Sequence, residues 1–252
     1  MGAALCRILT EEGHRVWGLD LVPPAEMSRA ETFFIVDVTD SVSLQEAFEC
    51  IKRDAGTLDG IVHAAGVYDL DSLAEMPEER FRRDFDVNVF GVFRVNRTFL
   101  PLLDAGGRIV IITSELAPLH ALPFTGVYAV TKTALDRYAE ALRMELQLLG
   151  HCVIVVRPGA VRTAMLGAST ERLERFCKET RIYQCNAERF RNIVDRVEAK
   201  NVPPEAVARL ISRALRTARP KAAYSVNRNP LLLLFDILPL RVQLWLIRRV
   251  LT

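Results

Sequence analysis

Four side chains carry the chemistry that is legible in this sequence: Asn88, Ser114, Tyr128 and Lys132. Tyr128 and Lys132 are four positions apart, so on a helix the phenol and the ammonium project from one side, a single turn from each other. A cation beside a phenol favours the phenolate, which lets tyrosine exchange protons near neutral pH. Such a pair also arises on ordinary solvated helices, and it gains meaning from the serine upstream. Ser114 can donate a hydrogen bond to a carbonyl oxygen, whereas an ionised Glu115 beside it cannot. Asn88 is a poor residue for a helix interior, so a specific hydrogen-bonding role competes there with a solvated side chain.

These residues need elements to hold them. The β-branched run 108–112, preceded by Ala105-Gly106-Gly107, reads as a buried parallel strand with Thr113 and Ser114 at its carboxyl end, where open α/β sheets place ligands. A loop containing Pro118 and Pro123 leads to a helix over 127–149, in which Leu135, Ala139, Leu142 and Leu146 form one apolar face. A second long helix, over roughly 80–103, places Phe85, Val89, Val92, Phe99 and Leu103 on one side and carries Asn88. Further strands are predicted over 15–19, 32–36, 60–63, 152–156 and 222–226, with helices over 3–12, 43–55 and from Pro204 to about 216. This alternation predicts an α/β fold, a doubly wound and mainly parallel sheet in a single domain spanning 1–252. Residues 164–200 are amphipathic, charged and without an obvious strand, and 230–252 form an apolar tail with Arg241, Arg248 and Arg249.

Taken in order, the strand-end Asp20, the Ala64-Ala65-Gly66 turn, Asn88-Val89-Phe90-Gly91, Ser114, the Tyr128 and Lys132 pair and Pro158-Gly159 resemble the short-chain dehydrogenase/reductase family. The resemblance runs to about Val226 and implies a Rossmann-like fold. It also implies reversible hydride transfer between a nicotinamide cofactor and a secondary alcohol or ketone. Tyr128 would take the hydroxyl proton during oxidation, Lys132 would hold the ribose and lower the tyrosine pKa, Ser114 would orient the substrate oxygen, and Asn88 would position a relay water. Asp37 and Val38 would meet the adenine, small residues at 64–66 would let the backbone approach the cofactor, and Pro158, Gly159 and Thr163 would face the nicotinamide. Thr163 reads equally as a cap for the next helix. Asp20 suits an adenosine ribose 2′-hydroxyl, with a turn cap as the other reading, and it favours NAD over NADP because a 2′-phosphate would meet like charge. The resemblance further makes 164–200 a lid over the substrate and the helix over 80–103 the contact of a homodimer or homotetramer.

Three departures stand out. Ser114 precedes Tyr128 by fourteen positions, one more than in most members, so either the loop holds an insertion or Glu115 takes the usual place. His63 and Ala64 replace two asparagines of the family turn, and His63 itself reads as a satisfied core or surface histidine. Gly2 matches only the last glycine of the expected Thr-Gly-x-x-x-Gly-x-Gly turn, so an N-terminally incomplete chain, poorly stable and weak in NAD binding, is expected. From this comes the alternative function: a non-catalytic relative acting as a binding or assembly subunit.

With 33 basic and 31 acidic residues there is no footprint for nucleic acid. The five cysteines lack paired or ligand-like spacing, so reduced thiols, no metal and a cytoplasmic setting are expected. The longest apolar run, 231–240, is broken by Asp236 and Pro239 and is too short to span a bilayer. The tail can lie in a membrane interface, cover the pocket or make a subunit contact, and beside the site it suits a lipid-like or steroid-like substrate.

Overall fold

The computed structural model describes residues 1–23 and 31–252, where strands and helices alternate as the periodicities predict. In chain order these are α1 (Gly2–Glu11), β1 (Val16–Asp20), β2 (Glu31–Ile35), α2 (Ser41–Ala55), β3 (Leu58–His63), α3 (Glu78–Phe85) and α4 (Gly91–Phe99). Next come β4 (Leu103–Ile112), α5 (Gly126–Leu146), β5 (Cys152–Pro158), α6 (Ala164–Glu179) and α7 (Gln184–Glu198). The chain continues through α8 (Pro204–Arg216), β6 (Ala223–Val226), α9 (Pro230–Asp236) and α10 (Leu240–Leu251). β3, β4, β5 and β6 are hydrogen-bonded in that order, every pair parallel, with Ile109 opposite Val153 and Ile111 opposite Val155. β1 and β2 form a separate parallel pair, and among the described residues no ladder joins β1 to β3.

The strand sequences explain the layering. Side chains alternate across a strand, so Ile109 and Ile111 enter one core with Leu44, Ile51, Val92, Leu135 and Ala139, under α2, α4 and α5. Val110 and Ile112 enter the other with Leu5, Ile8, Val207 and Ile211, under α1 and α8. Each such fully buried aliphatic side chain contributes about 2 kcal/mol, enough to fix which face of each helix turns inward. Helices on both faces give the doubly wound, Rossmann-like arrangement. A third cluster, Leu70, Leu173, Phe176, Phe190 and Leu251, joins α6, α7 and α10 above the carboxyl edge.

Two sequence expectations change. The helix expected over 80–103 breaks into α3 and α4 around a π-turn at Asp86–Phe90, because Asn88 turns its amide to residues outside its own helix. Pro101 then lies in a short 3-10 turn, and β4 begins at Leu103, absorbing Ala105-Gly106-Gly107 with a register shift against β3. The region 164–200 resolves into α6 and α7, packed on each other. The tail forms α9 and α10, the latter packed on α7.

His63 is a core histidine. Its Nε2 lies 2.7 Å from Asn96 Oδ1, Asn96 donates to the Tyr138 hydroxyl, and burial holds the imidazole down at about 4. The folded state therefore binds fewer protons than the unfolded chain between its pKa of about 4 and the ordinary 6.5. Roughly 3 kcal/mol of stability, whole above the ordinary pKa, is lost as pH falls toward the folded value. Asp84 acts in the opposite sense, since burial raises it to about 6 and favours folding as its carboxylate protonates. We expect urea midpoints of the parent to fall more between pH 7 and 5 than those of a His63→Gln variant. Parallel curves would remove His63 as the cause.

Candidate active site

β4 and α5 meet at the carboxyl edge of the sheet, and there the main candidates converge. Beyond the regular ladder, the Thr113 amide donates to Val156 O and the Glu115 amide to Pro158 O, each at 2.9 Å, so the strand end is pinned to β5. Ser114 is buried and its Oγ accepts from the Leu116 amide at 3.2 Å. It lines the same cavity as Tyr128. Lys132, 4 % exposed, donates from Nζ to Ile112 O at 3.3 Å, with Nζ 5.7 Å from the Tyr128 ring centroid.

The electrostatics differ from the sequence expectation. Desolvation pushes the Tyr128 phenol up to about 12, opposed by the nearby Ser114 hydroxyl and reinforced by the Glu115 charge. Some of the tyrosine surface remains open to the cavity, but its phenol is deep enough for loss of water to dominate. The same loss lowers Lys132 to about 8. A dry environment favours the neutral form of each group.

Asn88 acts as a clamp. Its Nδ2 donates to Val67 O at 3.0 Å and to Thr131 Oγ1 at 3.1 Å, while Oδ1 accepts from the Val67 amide at 2.8 Å. Thr131 in turn donates to Tyr128 O, so one amide joins the turn after β3 to the first turn of α5. A Cβ on Gly66 would sit 3.1 Å from Asn88 Oδ1 and 3.4 Å from Lys132 Nζ, which explains the smallest residue there.

A cavity of about 190 Å³ lies over these groups. Ala64, Ala65 and Gly66 line one side, with Met1 beside them, and Pro158, Gly159 and Thr163 line another. Gly2 is close by, where an added Cβ would lie 3.6 Å from that of Ala64. Gly159 is required by the protein itself, since a Cβ would come within 2.1 Å of Asn227 O. Thr163 occupies the N-cap of α6 but makes no side-chain cap bond. Asp20, Asp37 and Val38 lie outside the lining. Asp20 is exposed at the end of β1 with Oδ1 accepting from the Leu21 amide at 2.7 Å. Asp37 Oδ1 caps both the amide and hydroxyl of Thr39, and Val38 packs where a Cβ on Gly91 would be 2.8 Å away.

Several residues at the site escaped the sequence reading. The Tyr68 ring lies edge-on to Tyr128, centroids 4.4 Å apart, and Arg172 of α6 holds its carbonyl at 2.6 Å. Phe190, Val194 and Val197 of α7 and Leu232 of α9 close the far side. Glu115 turns from the reacting groups to the tail, with Oε2 accepting from the Asn229 amide at 2.7 Å. Asp136 pairs with Arg157 and accepts from Thr113 Oγ1, bracing the strand end. Its signal was available, for it continues the 128, 132, 136 ridge of α5. The others come from distant segments and had no local mark.

Comparisons with known proteins agree with this geometry. The short chain dehydrogenase family model matches residues 1–174. The NADPH-dependent 3-dehydrocapnine reductase of Ornithobacterium rhinotracheale is 28% identical over 246 residues, covering 92% of this chain and 86% of that protein. Human 17-beta-hydroxysteroid dehydrogenase type 1 is 33% identical over 219 residues, covering 84% of this chain and 64% of that protein. A short chain dehydrogenase family protein from Francisella tularensis subsp. tularensis SCHU S4 superposes with a TM-score of 0.73 at 19% identity, covering 90% and 92% of the two chains. With the family model matching well over half its length, and a parallel sheet delivering serine, tyrosine and lysine to one cavity, the chain belongs to the short-chain dehydrogenase family of oxidoreductases.

Proposed function

We propose that this chain transfers hydride between NAD(H) and a secondary alcohol or ketone of apolar, lipid-like or steroid-like character. The observation that carries the reading is that Ser114, Tyr128 and Lys132 line one cavity together with the aliphatic and aromatic side chains of Leu122, Phe190, Val194 and Leu232. Bound nicotinamide supplies or accepts the hydride. Lys132 fits its ribose, because a buried ammonium has three N–H bonds and the described protein offers it one acceptor, at 3.3 Å. The Thr163 hydroxyl, unused as a cap, fits a carboxamide.

Ser114 orients the substrate oxygen toward the phenol. In reduction, Tyr128, protonated across neutral pH, gives its proton to that oxygen as negative charge develops there; in oxidation it takes the hydroxyl proton back. Asn88 keeps the turn after β3 and the start of α5 in register, holding both walls of the cavity. Glu115 belongs to the roof, consistent with Ser114 as the working residue at the longer spacing. The exposed Phe90 and Phe93, with Val130 on α5, supply an apolar face for a homo-oligomer.

Tyr128→Phe should lower turnover more than ~100-fold while leaving the unfolding transition in place, because only the ionisable oxygen is removed. Near-normal turnover in the purified variant would end the assignment. Ser114→Ala should cost far more activity than Glu115→Ala, and the reverse order would move the orienting role to Glu115. For the cofactor, Asp20 argues for NAD, although the capnine-type relative is named for NADPH. The kcat/KM ratio should favour NAD, and Asp20→Ser should narrow it by relieving repulsion of the 2′-phosphate. A parent more efficient with NADP would overturn this choice.

A further inference from the structure

The tail is a fixed part of the molecule with an unpartnered outer face. Asn229 donates its amide to Glu115, and Asp236 accepts from the amide of His120 at 2.7 Å. Gln243, 2 % exposed, donates to Leu238 O at 2.8 Å, and the Leu251 carbonyl accepts from Asn186 on α7 at 2.7 Å. These bonds turn Leu232 into the cavity wall and leave the opposite side of both helices to solvent. There Leu234 is 59 %, Ile237 77 %, Leu244 57 % and Trp245 63 % exposed. So much apolar surface on rigid helices marks an interaction face.

The charges around it select the partner. Residues 228–252 hold four arginines against one aspartate, Asp236, and that carboxylate is engaged by His120. Arg241, Arg248 and Arg249 are exposed and in no ion pair among the described residues. On α10, Gln243, Ile247 and Leu251 turn inward, so Arg241, Leu244, Trp245 and Arg248 share the outward side at helical spacing. A second copy across a two-fold axis would present the same arginines to one another with no acidic partner on the patch. An anionic surface meets them with opposite charge and also accepts the leucines and tryptophan. At twelve residues α10 is too short to cross a bilayer, and no described helix is long and apolar enough to do so.

We propose that α9 and α10 dock in the plane of an anionic phospholipid surface, Leu231, Leu234, Ile237, Leu244 and Trp245 entering the acyl boundary and the arginines meeting phosphates. Because α9 carries Leu232 on its inner side, docking sets the cavity wall against the lipid, a route suited to the apolar substrate proposed above. The docking itself does not depend on that catalytic reading.

The test is co-sedimentation of the full chain with phosphatidylcholine vesicles, with and without phosphatidylglycerol. Binding should require the anionic lipid, weaken with added salt, and fall about tenfold or more both in a Leu234→Gln, Trp245→Gln variant and in an Arg248→Glu, Arg249→Glu variant. Both variants alter exposed positions, so their thermal unfolding should match the parent and confirm that the loss is one of docking. A parent that binds neutral and anionic vesicles alike, or not at all, overturns the proposal, as do variants that bind undiminished. A parent dimer that ignores vesicles and dissociates on the Leu234→Gln, Trp245→Gln change would assign the face to a second copy instead.

Discussion

The structure depends on keeping a phenol and an ammonium dry at the end of one strand. Burial disfavours the charged form of both Tyr128 and Lys132, whose pKa values move to about 12 and about 8. The surroundings must therefore be rigid enough to hold them there. The Ile112 carbonyl, the Ser114 hydroxyl and the backbone bonds from Thr113 and Glu115 to β5 supply that rigidity, and all arise where β4 leaves the sheet. A parallel sheet buried on both faces fixes that point more firmly than a loop could.

Asn88 shows how a local irregularity serves the same end. A regular helix from α3 into α4 would keep its own hydrogen bonds and leave Val67 and Thr131 to other partners. The π-turn lets the amide reach both, and glycine at 91 lets the widened turn close on Val38. The turn after β3 and the first turn of α5 are then joined through one side chain. That is a physical reason for an asparagine in a position where helix propensity argues against it.

Much of this was legible in the sequence, because β4, β5, α5 and α8 carry strong periodicity and packing follows it. The serine, tyrosine and lysine could be placed together because strand-end position and helical spacing are local properties. The roof could not. Glu115 and Asn229, Arg172 and Tyr68, and Thr180 and Glu75 each meet across more than a hundred residues, and nothing near any of them announces its partner. The π-turn was hidden for the same reason: its cause lies at Val67 and Thr131. The loop between Ser114 and Tyr128 passes through Phe124, whose backbone takes a φ of 60°. That conformation is strained for a bulky residue and is held by ring contacts with Phe176, Tyr183 and Phe190.

Roof and chemistry are coupled through water. Burial raises Tyr128 and lowers Lys132, and the Tyr68 ring packed edge-on against Tyr128 helps to keep water from the phenol. At its ordinary 10.0 or at about 12 the Tyr128 phenol is protonated at neutral pH, so burial changes how readily it gives up the proton and not whether it carries one. The bonds from Asn229 to Glu115 and from His120 to Asp236 anchor the tail whose Leu232 lines the same cavity, so the wall opposite the reacting groups is tied to the strand end and the loop that carry them.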